Sequence, residues 1–217
     1  MDTAFQNTTD RIILVDEQDR EVGSEEKLTA HRTPLLHRAF SIFLYDDTGE
    51  EPRLLLQQRA YGKYHSGGLW ANSCCSHPRV GEVLAEATVR RLQEELGVAG
   101  VALTEVGSFV YCHKFRDDLY EHEFDHVFVG RYAGPVKPNP EEIARVEWVP
   151  VSRLRKDLQS YEARRAQATG ELQTAENAQE LLHPQTDAPD TYSDPVFAAW
   201  FPTAASFVLN WLNQRGL

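Results

Sequence analysis

Short apolar segments separated by polar turns run through most of the chain, and their lengths are typical of strands. Two of them, RAFSIFLYDD and RLLLQQRA, lie on either side of polar turn residues and predict a hairpin over 38–60. Further strands are predicted at 11–15, 105–115, 121–132 and 145–150. The glycine-rich sequence YGKYHSGG, which follows the hairpin, is predicted to be a loop.

Two segments have the period of an amphipathic helix. The first covers 82–96, where apolar residues at spacings of four, three and four form one stripe: Ala85, Val89, Leu92 and Leu96. Gly97 follows where a helix commonly ends. The second runs from 197 to 212 and contains four aromatic residues: Trp200, Phe201, Phe207 and Trp211.

The segment 155–190 differs from the rest because it is polar and poor in aromatic residues. It continues a helix predicted to start at VSRLRKDL, and either a solvated helix with a loop or partial disorder would explain it. We assign this insertion no role. The whole pattern predicts a single domain over 1–217 of the α/β (α+β) class, with an extra C-terminal helical segment at 195–215.

The overall charge limits what the chain can bind. Its 217 residues carry a formal net charge of −11, and 41% are hydrophobic and 25% charged, as in an ordinary globular protein. This charge argues against a nucleic-acid or anionic-membrane surface, so we expect no nucleic acid and no membrane as partners. An anionic small molecule would need a local group of lysine and arginine side chains.

The compartment is predicted from the N-terminus and the cysteines. The sequence MDTAFQNTTDR lacks the apolar stretch of a secretory signal, and no apolar run has membrane-spanning length. Three cysteines, an odd number without spaced pairs, do not form a disulfide framework. We expect a reduced, cytoplasmic protein, with a monomer as the default oligomeric state.

Two of the three cysteines are adjacent in the sequence WANSCCSHP, which also contains His77. On an extended backbone, Cys75 and His77 point to one side and Cys74 to the other. Taken alone, this stretch leaves four interpretations open: a structural disulfide, a metal site, a catalytic thiol, or a pair of buried thiols without a function.

Further candidate metal ligands occur in two other sequences. Glu121 and Glu123 in EHE share one face of a predicted strand, and a cation would relieve their repulsion, although a solvated strand face is the alternative. HRTPLLH supplies His31 and His37, whose spacing of six is not helical and predicts a loop site. With His77, these residues suit zinc or manganese.

The sequence from Ser76, SHPRVGEVLAEATVRRLQEELGV, resembles the Nudix box, G-x5-E-x7-R-E-U-x-E-E-x-G-U with U an apolar residue. The residues found where this pattern requires them are Glu82, Arg90, Leu92, Glu94, Glu95, Gly97 and Val98. Ser76 replaces the first glycine, and Arg91 replaces a glutamate. A ladder of helical ion pairs is the alternative explanation.

The departure at Arg91 bears on the chemistry. In Nudix hydrolases this acidic helix collects the metal ions that activate water against a diphosphate. A cation in place of one carboxylate weakens metal binding for hydrolysis and favours holding a phosphate.

NSCCSHP, EHE and the altered box together resemble the type 1 isopentenyl-diphosphate Δ-isomerases, from about residue 11 to 150 and again at AAWFP. The resemblance implies a Nudix-like mixed sheet flanked by helices and the interconversion of isopentenyl and dimethylallyl diphosphate. It implies Cys75 as the catalytic thiol, Glu123 as the opposing acid or base, and Tyr111 as the partner of Glu123.

The resemblance also implies the residues that hold ions and substrate. The implied protein-bound metal site is His31, His37, His77, Glu121 and Glu123. Glu95 is implied to help hold a magnesium ion on the substrate diphosphate. The implied diphosphate contacts are Lys27, Arg59, Lys63 and Arg91, with Ser76 as a further donor.

The implied reaction adds one proton and removes another, with a carbocation between the two steps. It needs an acid and a base on opposite faces of the substrate, and we expect Cys75 to act as a thiolate whose pKa is lowered by a metal or cationic groups. An aromatic side chain should keep water from the carbocation, and Trp200 is the candidate.

We therefore expect a metal-dependent isomerase of a small isoprenoid diphosphate. Mg²⁺ would accompany the substrate, and Zn²⁺, Mn²⁺ or Mg²⁺ would occupy the His/Glu site. A Nudix diphosphate hydrolase and a non-catalytic diphosphate-binding module are the alternatives, and they differ from the isomerase in not requiring Cys75.

Overall fold

The structure is a computed structural model that describes residues 11–116, 118–172, 192 and 195–217, without the side chains of 116 and 168–172. The N-terminal sequence before residue 11 and the part of the polar insertion from 173 to 190 lie outside the described residues. No helix in the described part of the chain is long and apolar enough to cross a membrane.

The described residues form nine strands and four helices. The strands are β1 (Arg11–Val15), β2 (Glu21–Glu26), β3 (His37–Asp46), β4 (Arg53–Arg59), β5 (Trp70–Ala71), β6 (Cys74–Ser76), β7 (Leu103–Arg116), β8 (Leu119–Arg131) and β9 (Ile143–Pro150). The helices are α1 (Lys27–Arg32), α2 (Leu84–Leu96), α3 (Val151–Leu172) and α4 (Phe201–Gln214). The predicted strands and the hairpin are confirmed, with boundaries that shift by up to two residues.

Strand β3 connects most of the sheet. Along one edge it pairs in parallel with β8, with His37 opposite Glu123. Along its other edge it pairs antiparallel with β6, with Ser41 opposite Cys75, and further along with β4. Strand β8 also pairs with β7, and β4 with β5 and β9. Cys75 and Glu123 therefore lie on the two strands that flank β3, and Tyr111 lies on β7, opposite Glu123.

Apolar side chains fill both faces of this mixed sheet. One cluster joins the sheet to α3 and α4 and includes the fully buried rings of Phe43 and Phe201. The other cluster joins the sheet to α2 and includes Phe40, Cys74 and Leu92. Helices thus cover both faces, and the predicted α+β class is confirmed.

Helix α2 ends as predicted but buries a different face. Gly97 has a φ of 66°, in the left-handed region, and its N–H donates to the carbonyl of Gln93. The predicted stripe is wrong at Ala85 and Val89, which are exposed. The buried residues are Ala87, Thr88, Leu92, Glu95 and Leu96. Polar residues can occupy this face because they have hydrogen-bond or ion-pair partners there. A prediction from apolar positions alone therefore assigns the buried face of the helix incorrectly.

The sequence pattern gives no sign of β2 and α1. Strand β2 is polar and pairs only with β1, and α1 has six residues, too few for a periodic stripe. Helix α1 begins where the carboxylate of Glu26 accepts hydrogen bonds from the N–H groups of Leu28 and Thr29. His31 therefore lies on a helix and His37 at the start of a strand, so the expectation of a loop site is wrong.

The C-terminal helix begins later than predicted. It starts at Phe201, with Pro202 in its first turn, rather than at 197. Trp200 precedes the helix. This places the Trp200 side chain against the sheet, where it is buried.

Asp46, at the end of β3, gives a pH-dependent contribution to stability. The hydroxyl and N–H of Thr48 donate to its carboxylate, Arg53 pairs with it, and these contacts lower the pKa of Asp46 to about 2. Because the pKa in the unfolded chain is about 3.9, the ionised carboxylate stabilises the fold above about pH 4. The contribution is lost as the pH falls towards 2.

We expect Asp46→Asn to lower the free energy of unfolding by about 1–2 kcal/mol at pH 7 and by progressively less between pH 4 and pH 2. Urea unfolding across this range measures the change. Asp47→Asn is the matched control, because Asp47 pairs with the exposed Arg131 and should contribute less than about 1 kcal/mol. A loss in Asp46→Asn that does not change with pH would contradict the assignment.

Candidate active site and metal centre

A cavity of about 240 Å³ lies between β6, β8 and the loop 61–68. Most of the implied site residues line it: Lys27, Arg59, Lys63, Cys75, Ser76, His77, Arg91, Glu121, Glu123 and Trp200. His31, His37 and Tyr111 do not line the cavity but contact residues that do. Glu95 is the implied residue that lies farther back, on the buried face of α2.

Strand β6 explains why one of the two adjacent cysteines faces the cavity. Its pairing with β3 keeps the backbone extended, so that Cys75 and His77 both line the cavity. Cys74 is fully buried and packs in the cluster under α2. All three cysteines of the chain are free thiols, which excludes the disulfide interpretation.

The thiol of Cys75 lies beside a cation in a water-poor position. Its Sγ is 3.6 Å from Nη1 of Arg59. Burial raises the pKa of Cys75 to about 12, and the positive charge of Arg59 opposes this rise without cancelling it. In the chain without bound ions the group is therefore a neutral thiol. Arg59 alone therefore does not produce the lowering of the Cys75 pKa that was expected from a metal or cationic groups.

Three imidazoles and one carboxylate converge behind the cavity wall. Ligand atoms of His31, His37, His77 and Glu123 all lie within 4.8 Å of one another. The Nε2 atom of His77 is 2.8 Å from Oε1 of Glu123. Burial lowers the pKa of His31 to about 4 and that of His77 to about 3, so both are neutral at pH 7.

The orientation of two of these rings fits a metal ion. Nδ1 of His31 is 2.6 Å from the carbonyl oxygen of Lys27, and Nδ1 of His37 is 2.8 Å from that of Leu35. Since a carbonyl only accepts, each Nδ1 carries the proton and each Nε2 has a free lone pair. Both Nε2 atoms are buried and without a hydrogen-bond partner among the described residues. Three imidazole nitrogens and a carboxylate are a donor set that suits zinc or manganese.

Glu121 and Glu123 are linked through the hydroxyl of Tyr111. That oxygen is 2.8 Å from Oε2 of each carboxylate, yet it has only one proton to donate. Burial and the charge of Glu123 raise the pKa of Glu121 well above its usual range. Burial would also raise the pKa of Glu123, but the neighbouring groups lower it, and the 2.8 Å contact with Nε2 of His77 is one of them.

The two pKa shifts have opposite directions, so Glu121 is the easier of the two carboxylates to protonate. The structure groups Glu121 with His31 and His65 rather than with His37 and His77, although the resemblance implies a single site of five ligands.

Cationic side chains gather at one part of the cavity. Arg59, Lys63 and Arg91 line it together with Lys27. Lys63 forms an ion pair with Glu142, and Nη2 of Arg91 lies 3.5 Å from another oxygen of the same carboxylate. This local group supplies the positive charge that an anionic ligand requires in a chain of net charge −11.

Glu95 and Trp200 are held by specific partners. The carboxylate of Glu95 pairs with Arg91, and burial raises its pKa. The indole N–H of Trp200 donates to Oδ1 of Asn72 at 3.0 Å, and the guanidinium of Arg59 lies 5.3 Å from the centre of its ring. Trp200 is therefore a fixed part of the cavity wall.

Several residues that line the cavity were not predicted as site residues, and Tyr64, His65 and Glu142 are among them. The first two belong to a loop whose glycines identify it only as a turn. Glu142 precedes β9 and has no motif of its own. His65 follows the cationic residues Arg59 and Lys63 and precedes the cysteine motif, which was a signal for it. Its spacing in the sequence does not show, however, that it lies beside Glu121.

Comparison with known proteins first defines the class. A family model described as NUDIX domain matches residues 35–169. The crystal structure of DR0079 from Deinococcus radiodurans is similar, with a TM-score of 0.56 and 26% identity, over 70% of this chain and 89% of that one. Together with the mixed sheet flanked by helices, these matches make the chain a NUDIX-domain protein.

Curated relatives then define the family. The chain is 54% identical to the isopentenyl-diphosphate Delta-isomerase of Burkholderia multivorans over 145 residues, which are 67% of this chain and 80% of the relative. It is 38% identical to the protein of that name from Photobacterium profundum over 208 residues, 95% and 98% of the two chains. The chain belongs to the isopentenyl-diphosphate Delta-isomerase family, and the resemblance seen in the sequence is confirmed.

The imidazole cluster gives a prediction about metal binding. We expect His37→Ala to weaken Mn²⁺ or Zn²⁺ binding more than about 100-fold, since even residues that only support a ligand contribute about 10- to 100-fold. Isothermal titration of the protein after chelation of bound ions measures this. His122→Ala is the matched control, because His122 lies between Glu121 and Glu123 but contacts the carbonyl of Pro34 on the other face of β8. Equal affinities of the two variants would contradict the assignment.

Proposed function

We propose that this chain is an isopentenyl-diphosphate Δ-isomerase that uses Cys75 and the Tyr111–Glu123 pair to move a double bond between two positions. The observation that carries the proposal is the placement of Cys75 and Glu123 in one cavity, on the strands that pair with opposite edges of β3. A substrate between them would have a proton-transferring group on each face.

In this reaction the substrate gains one proton and loses another, so its composition does not change. One proton is added to the terminal alkene carbon, which leaves a positive charge on the adjacent tertiary carbon. One proton is then lost from the carbon next to the methylene that bears the diphosphate. The protein donates one proton and accepts another, and its own groups exchange with water between turnovers.

We assign the donor to the carboxylate side of the cavity. Protonation of an alkene needs a strong acid, and a carboxylic acid is ordinarily a stronger acid than a thiol, which favours the group formed by Glu121, Tyr111 and Glu123. Cys75 is then the acceptor. To accept a proton it must act as a thiolate, so its own proton leaves to water before the substrate is deprotonated, and the bound ions and the positive charge that develops on the substrate would stabilise the thiolate.

The remaining groups bind the substrate and protect the cation. Lys27, Arg59, Lys63 and Arg91 are placed to hold the diphosphate, with Ser76 as a further donor. The ring of Trp200 already faces one cation, Arg59, and the same π-system would stabilise a carbocation in the cavity and exclude water from it.

We assign two divalent ions. The donor set of His31, His37, His77 and Glu123 fits Zn²⁺, Mn²⁺ or Mg²⁺, which would supply positive charge beside the buried carboxylates. A Mg²⁺ ion would arrive with the substrate diphosphate, and we place Glu95 near it. We also place the reaction in the cytoplasm, where three free thiols remain reduced.

Isomerisation of isopentenyl diphosphate in deuterated water with Mg²⁺, followed by NMR, tests the proposal. We expect the parent to form deuterated dimethylallyl diphosphate and Cys75→Ala to lose at least about 10²- to 10⁴-fold of that rate, because a proton acceptor is removed. Cys112→Ala is the control, since Cys112 is an exposed thiol on β7. Phosphate release that is unaffected by Cys75→Ala would indicate a hydrolase, and binding without any turnover would indicate a binding module.

The role of Trp200 is tested by two substitutions that separate its ring from its N–H. We expect Trp200→Phe to keep kcat within about fivefold and Trp200→Leu to lower kcat by about 10- to 30-fold, the size of a desolvated cation–π contact of about 2 kcal/mol. Thermal unfolding confirms that both variants are folded at the assay temperature. Equal losses in the two variants would assign Trp200 a packing role only.

A further inference from the structure

His65 lines the cavity and has none of the roles assigned so far. It is 9% exposed and lies in the loop 61–68, and its Nε2 atom is 3.3 Å from Oε1 of Glu121. The other carboxylate oxygen of Glu121 is 2.8 Å from the hydroxyl of Tyr111. Glu121 is therefore contacted at both oxygens, by groups from two different parts of the chain.

The ring of His65 is held in one orientation. It stacks on Phe115, with ring centres 4.7 Å apart, and contacts the Tyr64 ring edge-on at 4.4 Å. Its Nδ1 atom is 3.3 Å from the hydroxyl of Ser66, which can donate to it. With Nδ1 as an acceptor, the neutral imidazole carries its proton on Nε2, the ring atom that lies 3.3 Å from Oε1 of Glu121.

The loop that carries His65 is itself tightly closed. The N–H of Gly68 donates to the carbonyl of Arg59, and the N–H of Arg59 donates to that of Leu69. A Cβ on Gly67 would lie 2.6 Å from the carbonyl oxygen of Tyr61, so only glycine fits there. The loop thus places the cations Arg59 and Lys63 and the ring of His65 as one unit.

We propose that His65 is a positioning residue whose Nε2–H holds the carboxylate of Glu121 in place for the ion bound beside it. The proposal rests on the metal-dependent isomerase function proposed above. His65 acts through Glu121 rather than as a ligand, because in this tautomer its Nε2 carries a proton and has no lone pair for an ion. A carboxylate held at one oxygen keeps its orientation when an ion competes for the other.

Two substitutions separate the N–H of His65 from its ring. His65→Phe keeps an aromatic ring to stack on Phe115 but has no donor, whereas His65→Gln keeps an N–H at the position of Nε2 and loses the ring. We expect His65→Phe to weaken Mn²⁺ binding about 10- to 100-fold and to lower kcat, with KM for isopentenyl diphosphate changed less than about twofold. We expect His65→Gln to stay within about threefold of the parent in Mn²⁺ affinity.

A measurement on the parent tests the same inference if a variant fails to fold. Long-range ¹H–¹⁵N spectra report which imidazole nitrogen carries the proton, and the signals of His65 are those missing from His65→Gln or, failing that, are assigned through the backbone. We expect an Nε2–H form for His65, in contrast to Nδ1–H forms for His31 and His37. A proton on Nδ1 of His65 overturns the proposal.

The possible results distinguish this inference from the function on which it rests. Mn²⁺ affinity that is unchanged in His65→Phe, in a parent that binds Mn²⁺ and isomerises its substrate, overturns the role of His65 alone. Larger losses in His65→Gln than in His65→Phe assign His65 to packing and also overturn it. A parent that neither binds Mn²⁺ nor isomerises overturns both proposals.

Discussion

The pairing of β3 with two different strands is the constraint on which the site depends. Its parallel register with β8 places Glu123 opposite His37, and its antiparallel register with β6 places Cys75 opposite Ser41. Since side chains alternate along a strand, a shift of one residue in either register would turn Cys75 or Glu123 away from the cavity. The apolar clusters on both faces of the sheet stabilise these registers. The geometry of the site therefore depends on the packing of the core.

The second constraint is the cost of burying so many ionisable groups together. The cluster limits this cost by keeping His31 and His77 neutral, and burial together with the charge of Glu123 raises the pKa of Glu121. It still leaves the Nε2 atoms of His31 and His37 without partners among the described residues. Such an arrangement is stable only because the surrounding sheet is well packed, and a cation would remove most of its cost.

The strands and the chemistry-bearing motifs were predictable from sequence because each depends on nearby residues. Short apolar runs between polar turns predict β3 and β4, and the altered box predicts helix α2 together with its charged residues. What the sequence could not show is which distant residues meet: His77 and Glu123 come together only because both neighbouring strands pair with β3. The apolar stripe of α2 was misplaced for a related reason, since Thr88 and Glu95 are buried polar residues with partners that no local pattern reveals.

The group of cations in the cavity also determines how a ligand meets the protein from a distance. The chain as a whole is strongly negative, so an approaching anion is first repelled. At physiological ionic strength the repulsion by the exterior and the attraction by the cavity are both largely screened beyond about 8 Å, so the cavity attracts an anion only from nearby. A compact diphosphate with a short apolar tail can come that close at little cost, whereas a long polyanion keeps many of its charges against the negative exterior. The difference in charge between the negative exterior and the positive cavity therefore favours small anions over large ones before the ligand contacts any side chain.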